Sequence, residues 1–181
     1  MVEQDNYQDH CMIGNIAYSS THKNKTGFVL LNNILGGPAM NSRLNMGIRE
    51  KYGFTYNIES NYTSYTDSGL FSIYLGTDNK HLNRSVDLVH KELNKLRTKK
   101  LSSAQLQKAK QQLIGQITLA EESKVNVMLG IGKSLLFYNK IDSLEDVYNK
   151  INKLSSENLI DIANEVFDKN QLSSLIYKSK K

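Results

Sequence analysis

Apolar residues alternate along the first part of the chain and recur at helical spacing along the second. The stretch 9–18, DHCMIGNIAY, predicts a first strand. Phe28, Leu31 and Leu35 then recur at helical spacing within 26–35, and the run stops at Gly36-Gly37, which predicts a helix. A second short helix is expected over about 41–50, where Leu44 and Ile48 lie four apart, and it closes on Gly53. Phe54, Tyr56 and Ile58 alternate with Thr55, Asn57 and Glu59, and further on Phe71, Ile73 and Leu75 alternate with Ser72 and Tyr74. Between these runs stands Thr66-Asp-Ser-Gly69, a turn sequence, so the two strands are expected to form a hairpin.

From residue 80 the period changes. Leu82, Val86, Val89, Leu93 and Leu96 make one stripe of an amphipathic helix. Ser102 and Gln105 have the spacing of a capping box ahead of Leu106, Ala109, Leu113 and Ile117. Further helices are expected at about 124–138, 143–153 and 156–167, and a last strand from Leu172 to Tyr177. This order predicts an α+β fold, a mostly antiparallel sheet with helices packed on one face. The single proline, Pro38, and the lack of a Gly/Ser linker leave no boundary, so one domain over 1–181 is expected.

Composition fits an ordinary globular domain, with 39% hydrophobic and 23% charged residues in 181. No apolar run reaches the roughly 18 residues of a membrane span, and the start, MVEQDNYQDHC, lacks the pattern of a signal peptide. The compartment is left open, because Cys11 is alone and gives no disulfide to read. The net charge of +5 is carried in part by Lys95, Lys99 and Lys100 at a helix end and by Lys178, Lys180 and Lys181 in the tail. These lysines are not interleaved with aromatics, so neither a nucleic-acid partner nor a membrane is expected.

Several chemistries are excluded by spacing. His10, His22, His81 and His90 form no pair at metal-ligand spacing, and neither His-x-x-Glu-His nor His-Glu-x-x-His occurs, so no metal or other cofactor is expected in this chain. Gly130–Ser134, GIGKS, resembles the end of a phosphate loop, but Val127 stands where that loop needs glycine and the context is helical. Its glycines are expected to let two helices pack closely. No Gly-x-Ser-x-Gly serine motif occurs.

Arg49 and Tyr56 remain, on either side of the Gly53 corner. On a structural reading, Arg49 caps carbonyls at a helix end and Tyr56 fills the edge of the core. On a functional reading, both point into one groove and donate hydrogen bonds to a peptide carbonyl and the oxyanion that grows from it. Neither activates water well near neutral pH, so they assist a hydrolysis without performing it.

The block NNILGGPAMNSRLNMGIREKYGFTYNIESNYTSYTDSGLFSIYLGTD resembles the non-zinc half of the M16 zinc metallopeptidases, the family of pitrilysin, insulin-degrading enzyme and the mitochondrial processing peptidase. The resemblance rests on LGG, SRL, REKYGFTY, the TDSGLFSIYLGTD hairpin, and the later LSSAQLQKAKQQLIGQI and LSSENLIDIANEVF helices, and spans nearly the whole chain. It implies one half of a duplicated clamshell. The other half, on the same chain or a separate subunit, carries His-x-x-Glu-His and zinc. The half resembled here contributes an arginine and a tyrosine seven apart, which fall on Arg49 and Tyr56. The implied role is to bind peptide substrates and stabilise the tetrahedral intermediate at the partner's zinc. Alone, such a chain is not expected to hydrolyse peptides, since the zinc motif is absent. The alternative is a peptidase-like scaffold or peptide-binding subunit. GGPAMN is short, so a substrate-recognition loop is not carried over to it, and a tight helix-to-helix turn is expected instead.

Overall fold

The computed structural model describes residues 2–4 and 7–179, with side chains from residue 7 onward; Lys180 and Lys181 of the basic tail and residues 1, 5 and 6 of the N-terminal stretch lie outside the described residues. The chain divides into two compact units, one made of residues 1–100 and 157–181 and the other of Leu101–Ser156.

The first unit is built on a five-stranded sheet. Its strands are β1 (Val2–Gln4), β2 (Asp9–Ala17), β3 (Thr55–Ser64), β4 (Gly69–Thr77) and β5 (Ser173–Ser179), in the spatial order β1-β5-β2-β4-β3. All pairings are antiparallel except β1 with β5. The α+β architecture therefore agrees with the sequence pattern, including the β3–β4 hairpin. Period-two alternation decides the faces. Cys11, Ile13, Phe71, Ile73 and Leu75 are buried, while Met12, Ile16, Leu70 and Leu175 are exposed on the other face. Three helices of this unit bury their own stripes: α1 (Lys25–Gly36) through Phe28, Leu31 and Leu35, α2 (Leu82–Thr98) through Leu82, Val89, Leu93 and Leu96, and α6 (Ser156–Val166) through Leu159, Ile162 and Ala163.

The helix α1 ends against β3 at very short range. A Cβ on Gly36 would stand 2.7 Å from the Ser60 backbone nitrogen, so only glycine fits the close approach. At the same place Asn32 Nδ2 donates to the Ser60 carbonyl at 3.2 Å, and Ser60 Oγ donates to the Asn32 carbonyl at 3.1 Å. The Leu-Gly-Gly element thus seats β3 on α1.

The second unit holds α3 (Ser103–Ala120), α4 (Lys124–Tyr138) and α5 (Leu144–Asn152). The capping box read from the sequence is present: Ser102 Oγ accepts from the Gln105 N–H, and the Gln105 side chain accepts from the Ser102 N–H. A second one, Ser143 with Asp146, opens α5. Lys110 of α3, buried, donates to the last-turn carbonyl of Asn152 at 2.8 Å, where a cation meets the negative end of α5. Ser102→Ala removes one cap acceptor, and thermal unfolding should report a loss of about 1 kcal/mol confined to this unit; an unchanged midpoint would contradict the cap's contribution.

One expectation is corrected here. Gly130 and Gly132 do not let two helices of the described chain pack closely, since a Cβ on either would meet nothing within 4 Å. No residue of α4 is buried.

Candidate functional site

The corner between residues 43 and 57 departs from simple periodicity twice. The expected short helix forms, but Asn45–Glu50 is wound as a π-helix, a winding often found at functional positions. Its anchors come from the Ser-Arg-Leu element. Ser42 and Leu44 are buried, and Ser42 Oγ accepts from Asn45 Nδ2 at 3.1 Å. Arg43 is half-buried; burial lowers its pKa, and nearby Glu92 opposes that shift. Ile48 is fully buried, which leaves its neighbour Arg49 exposed. The chain then reverses at Gly53, whose φ of 63° lies in the left-handed region and whose N–H donates to the Arg49 carbonyl at 2.9 Å.

The second departure lies in β3. Thr55 pairs with Thr77, but Asn57 pairs with Gly76, so Tyr56 is the extra residue of a β-bulge. The sequence pattern groups Tyr56 with Phe54 and Ile58. The bulge resets that phase, so that Thr55 and Ile58 are buried whereas Tyr56 is 57% exposed. Filling the edge of the core is therefore not the role of Tyr56. Capping is likewise not the role of Arg49, whose guanidinium makes no hydrogen bond or ion pair among the described residues.

The turn after β4 braces this corner. Thr77, fully buried, donates through Oγ1 to the Phe54 carbonyl. The rings of Tyr52 and Phe54 stack at 5.2 Å and 20°, and His81 stacks on Phe54 at 4.4 Å and 16°. The Arg84 guanidinium lies 5.0 Å from the Phe54 ring and 5.8 Å from that of Tyr52, within cation–π range. Next to this stack, Tyr56 Oη donates to Asp78 Oδ1 at 3.1 Å, and that carboxylate raises the phenol's pKa above its usual value. Tyr56 is thus held protonated, as a donor must be. None of these partners follows from the spacing of residues 49 and 56. His81 and Asp78 reach the corner only because Thr77 pairs with Thr55 in the sheet.

The histidines are scattered. His10 Nδ1 and Tyr74 Oη lie 2.8 Å apart, His22 stacks on Tyr18, His81 stacks on Phe54, and His90 sits on α2 with its pKa lowered by burial and by Lys169. Among the described residues no group of three His, Cys, Asp or Glu is placed to hold a metal ion. The donor set does not fit zinc. No described helix is long and apolar enough to cross a membrane.

The site is thus an α+β sheet domain's braced corner that exposes Arg49 and Tyr56, with no metal-binding cluster among the described residues. Residues 1–113 match the family model for the peptidase M16 inactive domain, and the chain belongs to the M16 peptidase family. It is 30% identical over 177 residues to the uncharacterized zinc protease YmxG of Bacillus subtilis, a match covering 98% of this chain and 43% of that protein. It is 31% identical over 104 residues to the mitochondrial-processing peptidase subunit beta of Saccharomyces cerevisiae, covering 56% of this chain and 22% of that one. A crystal structure of a peptidase M16 inactive domain from Pseudomonas fluorescens has the same fold, with a TM-score of 0.87 at 23% identity over 99% of this chain and 43% of its own. The chain spans less than half the length of these relatives.

Proposed function

We propose that this chain is the non-metal half of a zinc-dependent peptidase, in which Arg49 and Tyr56 hold the carbonyl oxygen of a bound peptide and stabilise the negative charge that grows on it. The zinc belongs to the other half, the one bearing His-x-x-Glu-His, and supplies the hydrolytic chemistry there. The residues of this chain bind and orient. One observation carries the reading: the bulge turns Tyr56 out of the core, and the π-wound helix leaves Arg49 exposed with no hydrogen bond or ion pair among the described residues. A folding argument gives no reason to expose both side chains at one corner, whereas an oxyanion site needs donors that are pre-positioned and open to a substrate.

Peptide binding has its own support. The strand β3 is an edge of the sheet, where an extended peptide can add a strand on either side of the contact that α1 makes at Ser60. The sheet face opposite the helices carries Met12 cross-strand from Tyr74 and Leu175, suited to side chains of an extended peptide. Hydrolysis of a quenched fluorescent peptide by this chain mixed with a zinc-bearing M16 half tests the proposal. Activity that appears only in the mixture supports it; a mixture with folded, metallated zinc half and no activity favours a scaffold.

The scaffold reading has one specific observation in its favour, since the single phenolic proton of Tyr56 is committed to Asp78. A donor so engaged must swing away from the carboxylate to reach a substrate, which a side chain 57% exposed on a bulge is free to do. Asp78→Ala should lower the Tyr56 pKa toward the ordinary phenol value. The chain has ten tyrosines, so absorbance cannot resolve one of them, and an assigned NMR titration is required. A Tyr56 signal that titrates identically in both proteins would remove Asp78 from the site.

A further inference from the structure

The helix α4 exposes apolar side chains on all sides, Ile131, Leu135 and Phe137 among them. Val125, Met128, Leu129, Gly132 and Leu136 fall at i, i+3, i+4, i+7 and i+11, one continuous stripe. Their exposures are 62% for Val125, 66% for Met128, 53% for Leu129 and 85% for Leu136. Gly132 sits in the middle of the stripe with open space above it. Glycine inside a helix weakens it, and no neighbour in the described chain accounts for this one. A glycine there does serve a second surface that approaches the helix backbone closely. The only charges on α4 are Lys124 and Lys133, which flank the stripe on its two sides.

We propose that this stripe is the docking surface for the zinc-bearing M16 half, which would cover it with an apolar patch rimmed by carboxylates. The proposal rests on the functional reading above in taking that half as the partner. Two observations favour this occupant over a second copy of the chain. In the relatives, the matched region is 43% of YmxG and 43% of the Pseudomonas fluorescens chain, so a larger part of each lies beyond what is present here. A second copy, by contrast, would face the same lysine-flanked stripe from a chain with net charge +5, with like charges opposed around an apolar contact.

The test is to mix this chain with the zinc-bearing half, supplied as a separate polypeptide, and measure both association by sedimentation and peptide turnover at saturating partner. The double substitution Leu129→Glu and Leu136→Glu puts two carboxylates on the stripe and should weaken association about 100-fold. Turnover at saturation should be unchanged, because Arg49 and Tyr56 are untouched. Circular dichroism checks that the helix survives, and Gly132→Leu, which only adds bulk at the seam, should weaken association in the same direction. Equal association of wild type and both variants would overturn the proposal. So would a wild-type chain that is dimeric alone and made monomeric by the substitutions, since a second copy would then be the occupant. Tyr56→Phe separates the two claims: unchanged turnover with the α4 effect intact would sink the donor assignment and leave the docking surface standing.

Discussion

Tyr56→Phe is expected to lower turnover of the assembled peptidase by about 100–1000-fold, the usual effect of deleting one oxyanion donor. The substitution removes only a hydroxyl from a side chain that is 57% exposed and packs little, so stability should hold. Substrate affinity should change much less than turnover, because the phenol's contribution grows with the charge on the oxygen. Zinc content of the partner half should be unaffected, since no residue of the corner belongs to a metal cluster. Equal turnover in both proteins would return Tyr56 to a surface residue hydrogen-bonded to Asp78. A fall in turnover matched by lost association would point to docking instead, which is why affinity and turnover are measured separately.

Much of the fold is legible in the residues. The strand and helix order follows from period, the Ser102–Gln105 cap from its spacing, and the hairpin from Thr66–Gly69 between two alternating runs. The elements of the corner are legible too, but residue type leaves the role of Arg49 and Tyr56 open, and only the family resemblance singles them out. What cannot be read is orientation. A period-two pattern carries no mark of an inserted residue, so Phe54, Tyr56 and Ile58 read as one face although the bulge at Tyr56 divides them. Likewise, nothing in NMGIRE announces a π-winding in place of an α-turn. Asp78 and His81 are invisible for a different reason, because sheet register brings them to the corner from more than twenty residues away.

The α4 segment fails in the opposite sense. Its apolar spacing correctly predicts a helix, and its glycines suggest close packing, yet the described chain supplies nothing to pack against them. Periodicity tells which side of a helix wants cover and never what covers it. For a chain that spans 43% of a relative, that distinction matters: an apolar stripe can be correct for an assembly and exposed in one of its parts.

Phe28→Ala should be the most destabilising single change in the first unit, costing about 3–5 kcal/mol. The ring is fully buried at the meeting point of four elements. It stands edge-on to Tyr62 of β3 at 4.7 Å, to Phe71 of β4 at 5.6 Å and to Tyr18 at 5.9 Å, and tilted against Phe167 just beyond α6 at 5.9 Å. Phe71 and Phe167 also meet each other at 4.9 Å, so a truncated Phe28 leaves a cavity that rigid rings close poorly. Phe28→Leu keeps most of the volume and should cost far less. The two compact units make a single two-state fit unsafe. All the tyrosines except Tyr138 and Tyr148 lie in the first unit, so urea unfolding followed by tyrosine fluorescence reports chiefly on the unit that was changed. A loss below about 1 kcal/mol for Phe28→Ala would mean that the cluster collapses freely and is not what fixes α1 against the sheet. The outcome bears on the corner as well: Gly36, at the end of the same helix, seats β3 through Ser60, four residues beyond Tyr56. A loosened α1 should therefore misplace the phenol, and Phe28→Ala at temperatures where it remains folded should lose turnover beyond its loss of folded protein.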